Sequence, residues 1–126
     1  MPEAQVISIV DDDPFARDAI WESIQSLGYQ AVSFSSAEQF LESGRIGEVA
    51  CLIIDLQMPG MSGLDLQNRL RLEGYDMPVI FISAFPEERF RTRALKAGAV
   101  AFLSKPFDEQ LLIGCINSAL ARPRHQ

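Results

Sequence analysis

Residues 50–63 read ACLIIDLQMPGMSG. Five apolar residues in succession, two of them β-branched, have the length of a strand buried on both faces rather than that of a helix. The run stops at a carboxylate, Asp55, which is followed by Leu56 and then by a turn whose glycines let backbone approach a neighbouring group closely. From Ser62 to Leu72 the pattern changes, with Leu64, Leu66 and Leu70 as apolar candidates, and this predicts a helix. A buried strand, a carboxylate at its lip, a glycine turn and a helix make one βα unit.

The same unit recurs on either side. Further strand-like runs are QVISIV (5–10), QAVSF (30–34), PVIFI (78–82) and VAFL (100–103). After Pro14, with Asp13 as its cap, Phe15, Ile20, Ile24 and Leu27 predict a helix that stops at Gly28. Ser35 and Ser36 stand three residues before Glu38 and Gln39, two overlapping capping-box patterns for a short helix ending near Gly44. Pro86 to Ala97, closed by Gly98, is a fourth helix; Asp108 to Leu120 is a fifth, with Leu111, Leu112, Cys115, Ile116 and Ala119 on one side. The order is (βα)5. Right-handed crossovers then require helices on both faces of a parallel sheet, a doubly wound three-layer α/β domain. The common strand order for five strands, 2-1-3-4-5, places a topological switch between the first and third strands, and ligands bind there at the carboxyl ends.

Composition narrows the function. The 126 residues suit one domain, 48% of them apolar and 22% charged, with a net charge of -6. So acidic a domain does not grip nucleic acid by itself, because phosphate contacts need clustered Lys and Arg. No apolar stretch reaches the roughly 18 residues of a membrane span, and the start MPEAQ lacks a basic secretory signal. Cys51 and Cys115 sit in apolar runs and read as small core residues; His125, the only histidine, lies in a polar tail. A cytoplasmic domain is the expectation.

The strand ends are chemically unusual. Asp11, Asp12 and Asp13 follow the first strand, Asp55 the third, Ser83 the fourth, and Lys105 and Pro106 the fifth. An aspartate after a strand is commonly a turn former or helix cap, and Asp13 fits that role. Carboxylates gathered from distant strands, however, repel one another unless a cation sits among them. An all-oxygen site without thiolate or imidazole suits Mg2+. Lys105 supplies a compact positive charge and Ser83 a hydroxyl donor. A dinucleotide-binding fold is excluded, since three negative charges stand where its glycines belong, and no Walker-type sequence occurs. A non-catalytic interaction module of flavodoxin-like shape is the alternative, and it would bind no magnesium.

These segments together resemble the receiver domain of bacterial two-component response regulators. IVDDD (9–13), IIDLQMPGMSGLDL (53–66), PVIFISA (78–84), ALKAGAVAFLSKPF (94–107) and QLLIGCINSAL (110–120) carry the likeness, in the family's order and spacing. KAGAVAFLSKPF is most similar to receivers that precede a LuxR-type output domain, as in nitrogen-fixation and nodulation regulators. The resemblance implies that Asp55 is the phospho-acceptor and that Asp11, Asp12, Asp55 and the backbone carbonyl of Gln57 hold Mg2+. It implies Ser83 and Lys105 as the groups that engage the phosphoryl oxygens, a cis bond before Pro106, and Phe102 as an aromatic switch, although Phe102 also suits the core. A sensor histidine kinase would be the donor. Phosphorylation would favour a homodimer through the fourth helix, fifth strand and fifth helix, with transcription controlled through an attached or partner DNA-binding domain. Such a domain modifies itself and is not an enzyme in the ordinary sense. The whole chain, 1–126, is then one receiver with its core at 6–120; residues 121–126 are a tail or the start of a linker. Two features stand out against the family: Phe85 followed by Pro86 after the switch hydroxyl, and Gln57 at a position that varies widely across it. Both flank the approach of hydrolytic water, so they bear on phosphate lifetime.

Overall fold

The computed structural model describes residues 5–84 and 87–121. Its elements alternate along the chain: β1 (Val6–Val10), α1 (Pro14–Ser26), β2 (Gln30–Phe34), α2 (Ala37–Glu42), β3 (Val49–Asp55), α3 (Gly63–Leu72), β4 (Val79–Ser83), α4 (Glu88–Lys96), β5 (Ala101–Ser104) and α5 (Glu109–Ala121). The five strands form one parallel sheet in the order β2-β1-β3-β4-β5. This is the doubly wound (βα)5 arrangement of flavodoxin-like and receiver folds.

Strand alternation sorts the core into two layers. Val10, Leu52, Ile54, Val79, Phe81 and Phe102 face α2, α3 and α4, where Phe40, Leu66, Leu70 and Ala94 meet them. Ile7, Ile9, Cys51, Ile53, Ile80, Ile82 and Leu103 point the other way, against Ile20 and Ile24 of α1 and Leu112, Ile116 and Ala119 of α5. Because β3 is apolar on both faces, it must lie at the centre, and its last residue, Asp55, is carried to the sheet's carboxyl edge.

Several helix ends follow from local chemistry. Asp13 caps α1 by accepting from the Phe15 amide, with Pro14 at the first helical position. Ser62 and Asp65 form a reciprocal capping box on α3. At α2 the two overlapping patterns merge: Ser36 Oγ accepts from the Gln39 amide, while the Gln39 carboxamide oxygen accepts from both the amide and the hydroxyl of Ser35.

The structure departs from the sequence reading in four places. Phe15 is 85% exposed and Leu111 55% exposed, so neither joins the core. Phe15 stands in the first turn of α1 and Leu111 in the first turn of α5. A 3-10 turn, Ile46–Glu48, precedes β3 and buries Ile46. The fourth helix begins at Glu88; the expected start, Pro86, lies outside the described residues, as does Phe85.

One glycine is fixed by packing rather than by its backbone angles. A Cβ on Gly63 would fall 2.6 Å from the Asp55 carbonyl oxygen and 2.9 Å from Ile54 Cγ2. Gly63→Ala should therefore destabilise the domain by about 1–3 kcal/mol, since backbone on both sides must shift. Gly114, inside α5 with open space around it, should tolerate Ala with a gain of about 0.5–1 kcal/mol. Urea unfolding of the two variants beside the parent checks the contrast.

Candidate functional site

The carboxyl edge of the sheet collects side chains because the hydrogen-bond ladders run on past the strands. The Asp11 amide donates to the Phe34 carbonyl at 3.1 Å, extending the β1–β2 ladder by one residue. The Lys105 amide donates to the Ser83 carbonyl at 2.8 Å and does the same for β4 and β5. Leu56 N–H donates to Ile82 O at 2.8 Å, which holds the backbone after Asp55 against β4. Asp11, Asp55, Ser83 and Lys105 are thus placed by backbone that is already fixed.

Asp11, Asp12 and Asp55 each offer a carboxylate oxygen, and these oxygens lie within 4.8 Å of one another. Asp11 is fully buried and Asp55 is 5% exposed, whereas Asp12 faces solvent. Lys105 Nζ stands 3.0 Å from Asp11 Oδ2, 3.2 Å from Asp11 Oδ1 and 3.5 Å from Asp55 Oδ2. One ammonium thus serves two buried carboxylates, with a third close by. Asp11 Oδ1 also accepts from the Asp13 amide at 2.9 Å. Its Oδ2 is buried without a hydrogen-bond partner and has only the ionic contact with Lys105. One ammonium divided among three carboxylate oxygens neutralises each only in part, which is costly in a buried site unless a further cation joins them.

Electrostatics give the same picture. Burial, together with the Asp11 charge and in spite of Lys105, pushes the Asp55 carboxyl up to about 7 from its ordinary value of 3.8. For Lys105, burial acts to lower the pKa, but the hydrogen bond to Asp11 and the charges of Asp55, Asp11 and Asp13 outweigh it and leave the pKa raised. The site has more negative charge than its own lysine neutralises. All the ligand atoms on offer are hard oxygens, so the cluster fits a divalent metal ion, which would meet the negative charge that Lys105 leaves over.

A cavity of about 250 Å3 opens over the cluster, lined by Asp12, Asp13, Asp55, Gln57, Ala84 and Lys105. Ser83 is the last residue of β4 and is buried; its strand position puts it on the same face as Phe81 and Phe102. Phe102 is 7% exposed and packs inward with that layer. The Lys105–Pro106 peptide bond is cis. Asp13 takes the helix-cap role.

Arg17 was not legible as part of the site. From the first turn of α1 its Nη1 donates to the Asp11 carbonyl at 2.7 Å, tying helix and acidic loop together. The clue was its position four residues after the cap Asp13, which turns it back toward the strand end.

The family described as response regulator receiver domain matches residues 7–117. This chain is a response regulator receiver domain. Asp11, Asp12 and Asp55 form the family's phosphorylation-site cluster, and Lys105 is its ion-pair partner. The response regulator protein TodT of Pseudomonas putida is 44% identical over 117 residues, which is 93% of this chain and 52% of TodT. The transcriptional regulatory protein FixJ of Azorhizobium caulinodans is 33% identical over 126 residues, 100% of this chain and 60% of FixJ. The receiver is thus closely related to FixJ- and LuxR-type regulators, and it spans about half the length of TodT. Among solved structures, the response regulator StyR superposes with a TM-score of 0.86 at 38% identity, covering 94% of this chain and 60% of StyR. No helix among the described residues is long and apolar enough to cross a membrane.

The raised Asp55 sets a pH dependence in the metal-free receiver. Folded Asp55 keeps its proton up to about pH 7, whereas the unfolded chain releases it near 3.8. The fold therefore holds the extra proton between those values, and stability falls as pH rises through that window. In chelator, the parent should lose more stability than Asp55→Asn between pH 5 and pH 8, and the variant should be the more stable at pH 8. Urea unfolding at the two pH values checks this; equal losses in both proteins would contradict it.

Proposed function

We propose that this receiver takes a phosphoryl group onto Asp55 from a phosphohistidine of a sensor histidine kinase, with Mg2+ bound by Asp11, Asp12, Asp55 and the Gln57 carbonyl. The observation that carries this reading is the acidic cluster itself: three carboxylates gather within reach of one another, and the one lysine among them is shared between Asp11 and Asp55. When bound, Mg2+ supplies charge neutralisation for both the phosphoryl oxygens and the carboxylates. An Asp55 oxygen forms the new bond to phosphorus, the phosphorus–nitrogen bond to the donor histidine breaks, and the electron pair leaves with the imidazole. Lys105 draws one phosphoryl oxygen toward the ammonium now shared by Asp11 and Asp55. Asp55 is the nucleophile as its carboxylate, and metal binding would favour that form against the upward pressure of burial. The domain modifies itself and turns over no separate substrate.

The donor's approach is supported by a larger groove of about 630 Å3, floored by Phe15, Ala16, Ala19, Pro106 and Phe107. It shares Asp13, Ala84 and Lys105 with the acidic cavity, so a helical donor seated on its apolar floor would hold a phosphohistidine at Asp55. The groove also gives the exposed Phe15 a use.

Signal output follows from the β5 edge of the sheet. The new phosphoryl oxygens accept from the Ser83 hydroxyl and from Lys105, drawing together the ends of β4 and β5. Phe102 already faces inward here, so its part is to lock an inward packing rather than to swing in. The surface that changes is that of α4, β5 and α5; α4 exposes Leu95 with the basic Arg91, Arg93 and Lys96, and α5 exposes Leu111. A homodimer through this face is the active form. Residues 1–126 make one receiver with its core at 6–120, working in the cytoplasm. Residues 121–126, most of which lie outside the described residues, lead toward a DNA-binding output domain that controls transcription. The length of TodT and FixJ beyond the matched region supports that reading.

The test is phosphorylation by a small acyl phosphate, read by intact mass and followed by sedimentation. The parent should gain one phosphoryl group in Mg2+ and none in chelator, then dimerise. Asp55→Asn should gain none. Lys105→Ala should retain some phosphorylation but fail to dimerise at equal phosphorylated fraction. Stoichiometric labelling of Asp55→Asn would move the acceptor elsewhere.

A further inference from the structure

The loop between β3 and α3, residues 57–62, has to be held still if its first carbonyl is to meet a metal ion. Part of that hold comes from outside the unit. Glu38, in the first turn of α2, reaches across 23 residues of sequence and accepts from the Met61 amide through Oε2 at 3.0 Å. The same carboxylate lies against Gly60, where a Cβ would come within 2.8 Å of Oε2. Gly60 also has a φ of +77°, a conformation that side chains rarely adopt. At the loop's far end the Gly63 amide donates to the Leu56 carbonyl at 2.9 Å. The loop is therefore closed at its base by its own backbone and pinned near its apex by a charge from α2.

That charge is mounted on a fixed support. Ala37 and Phe40 of α2 are buried, and Phe40 meets the Phe34 ring edge-on at a centroid distance of 5.3 Å. Ser36 and Gln39 close the helix start by reciprocal bonds with the chain on either side. A charge-assisted bond from such a support is among the stronger single contacts available to a loop amide.

We infer that Glu38 is a positioning residue for the metal site: by gripping the Met61 amide it fixes loop 57–62 so that the Gln57 carbonyl is presented to Mg2+. The inference rests on the functional reading above, since it presumes the metal and that ligand. Glu38 touches neither reactant nor metal. Its effect is on pre-organisation, and so it acts on metal affinity rather than on the chemical step. Linkage makes the coupling mutual: if the clamp favours the metal, the metal tightens the clamp.

The experiment measures Mg2+ affinity by calorimetry on the purified receiver and hydrogen exchange at the Met61 amide by NMR, for the parent, Glu38→Ala, Glu38→Gln and Gly60→Ala. Glu38→Ala should bind Mg2+ about five- to tenfold more weakly. Glu38→Gln, whose carboxamide oxygen still accepts from the same amide, should stay within about twofold of the parent. Gly60→Ala, which crowds the same carboxylate and also strains the loop backbone at its positive φ, should weaken binding at least as much as Glu38→Ala does. In the parent, Mg2+ should slow exchange at Met61, and Glu38→Ala should abolish that slowing. Phosphorylation by acetyl phosphate should then need more Mg2+ in Glu38→Ala, yet reach the parent's rate at saturation. Equal Mg2+ affinity in the parent and Glu38→Ala would overturn the inference and leave the functional reading standing. A parent that binds no Mg2+ would overturn both.

Discussion

Three carboxylates crowded around one ammonium are the constraint on which the rest of the molecule turns. In water, Asp11, Asp12 and Asp55 would separate. The fold prevents it, because Asp11 and Asp55 are carried on adjacent strands and buried at their ends. Lys105 meets both but neutralises only one charge. Burial first, and the Asp11 charge after it, raise the Asp55 carboxyl to about 7, and the lysine is left shared among three carboxylate oxygens. A site held in this condition favours a divalent cation, and after it a transferable group that brings its own oxygens to Lys105. The local cost in stability is the source of the affinity.

The sheet can impose that arrangement because its register leaves little freedom. β3 is apolar on both faces and central, so its end cannot move without disturbing β1 and β4 together. The ladders continue one residue past β1 and β5, so that Asp11 and Lys105 are fixed by backbone bonds before their side chains interact. The close approach of Gly63 to the Asp55 carbonyl binds α3 to the same point. Above this platform stand the exposed Asp12 and the loop 57–62, which Glu38 holds from α2.

Much of this could be read from the chain because the informative residues are unlike their neighbours. Strand runs such as CLII and VIFI are continuous apolar stretches with no competing reading, and each ends abruptly in a polar group. That contrast located Asp11, Asp12, Asp55, Ser83 and Lys105 at strand ends and so implied a shared edge. Helix faces were less legible. Phe15 and Leu111 keep helical spacing with true core residues, but each stands in a first turn and is exposed, and periodicity does not record where a neighbour stops. The turn at Ile46 was missed because three residues carry too little pattern. Arg17 and Glu38 make long-reach contacts to backbone groups, and backbone groups leave no mark in the sequence.

The central claim is that the acidic cluster is unfavourable by itself and is relieved by a cation. The most direct measurement is an NMR titration of the Asp55 side-chain carboxyl carbon, once in chelator and once in saturating Mg2+. In chelator its midpoint should lie near 7, well above an ordinary aspartate. In Mg2+ it should fall by more than about one pH unit, since bound cations reverse the local preference for the neutral form. An Asp55 midpoint at the ordinary value in chelator, unchanged by Mg2+, would contradict the account.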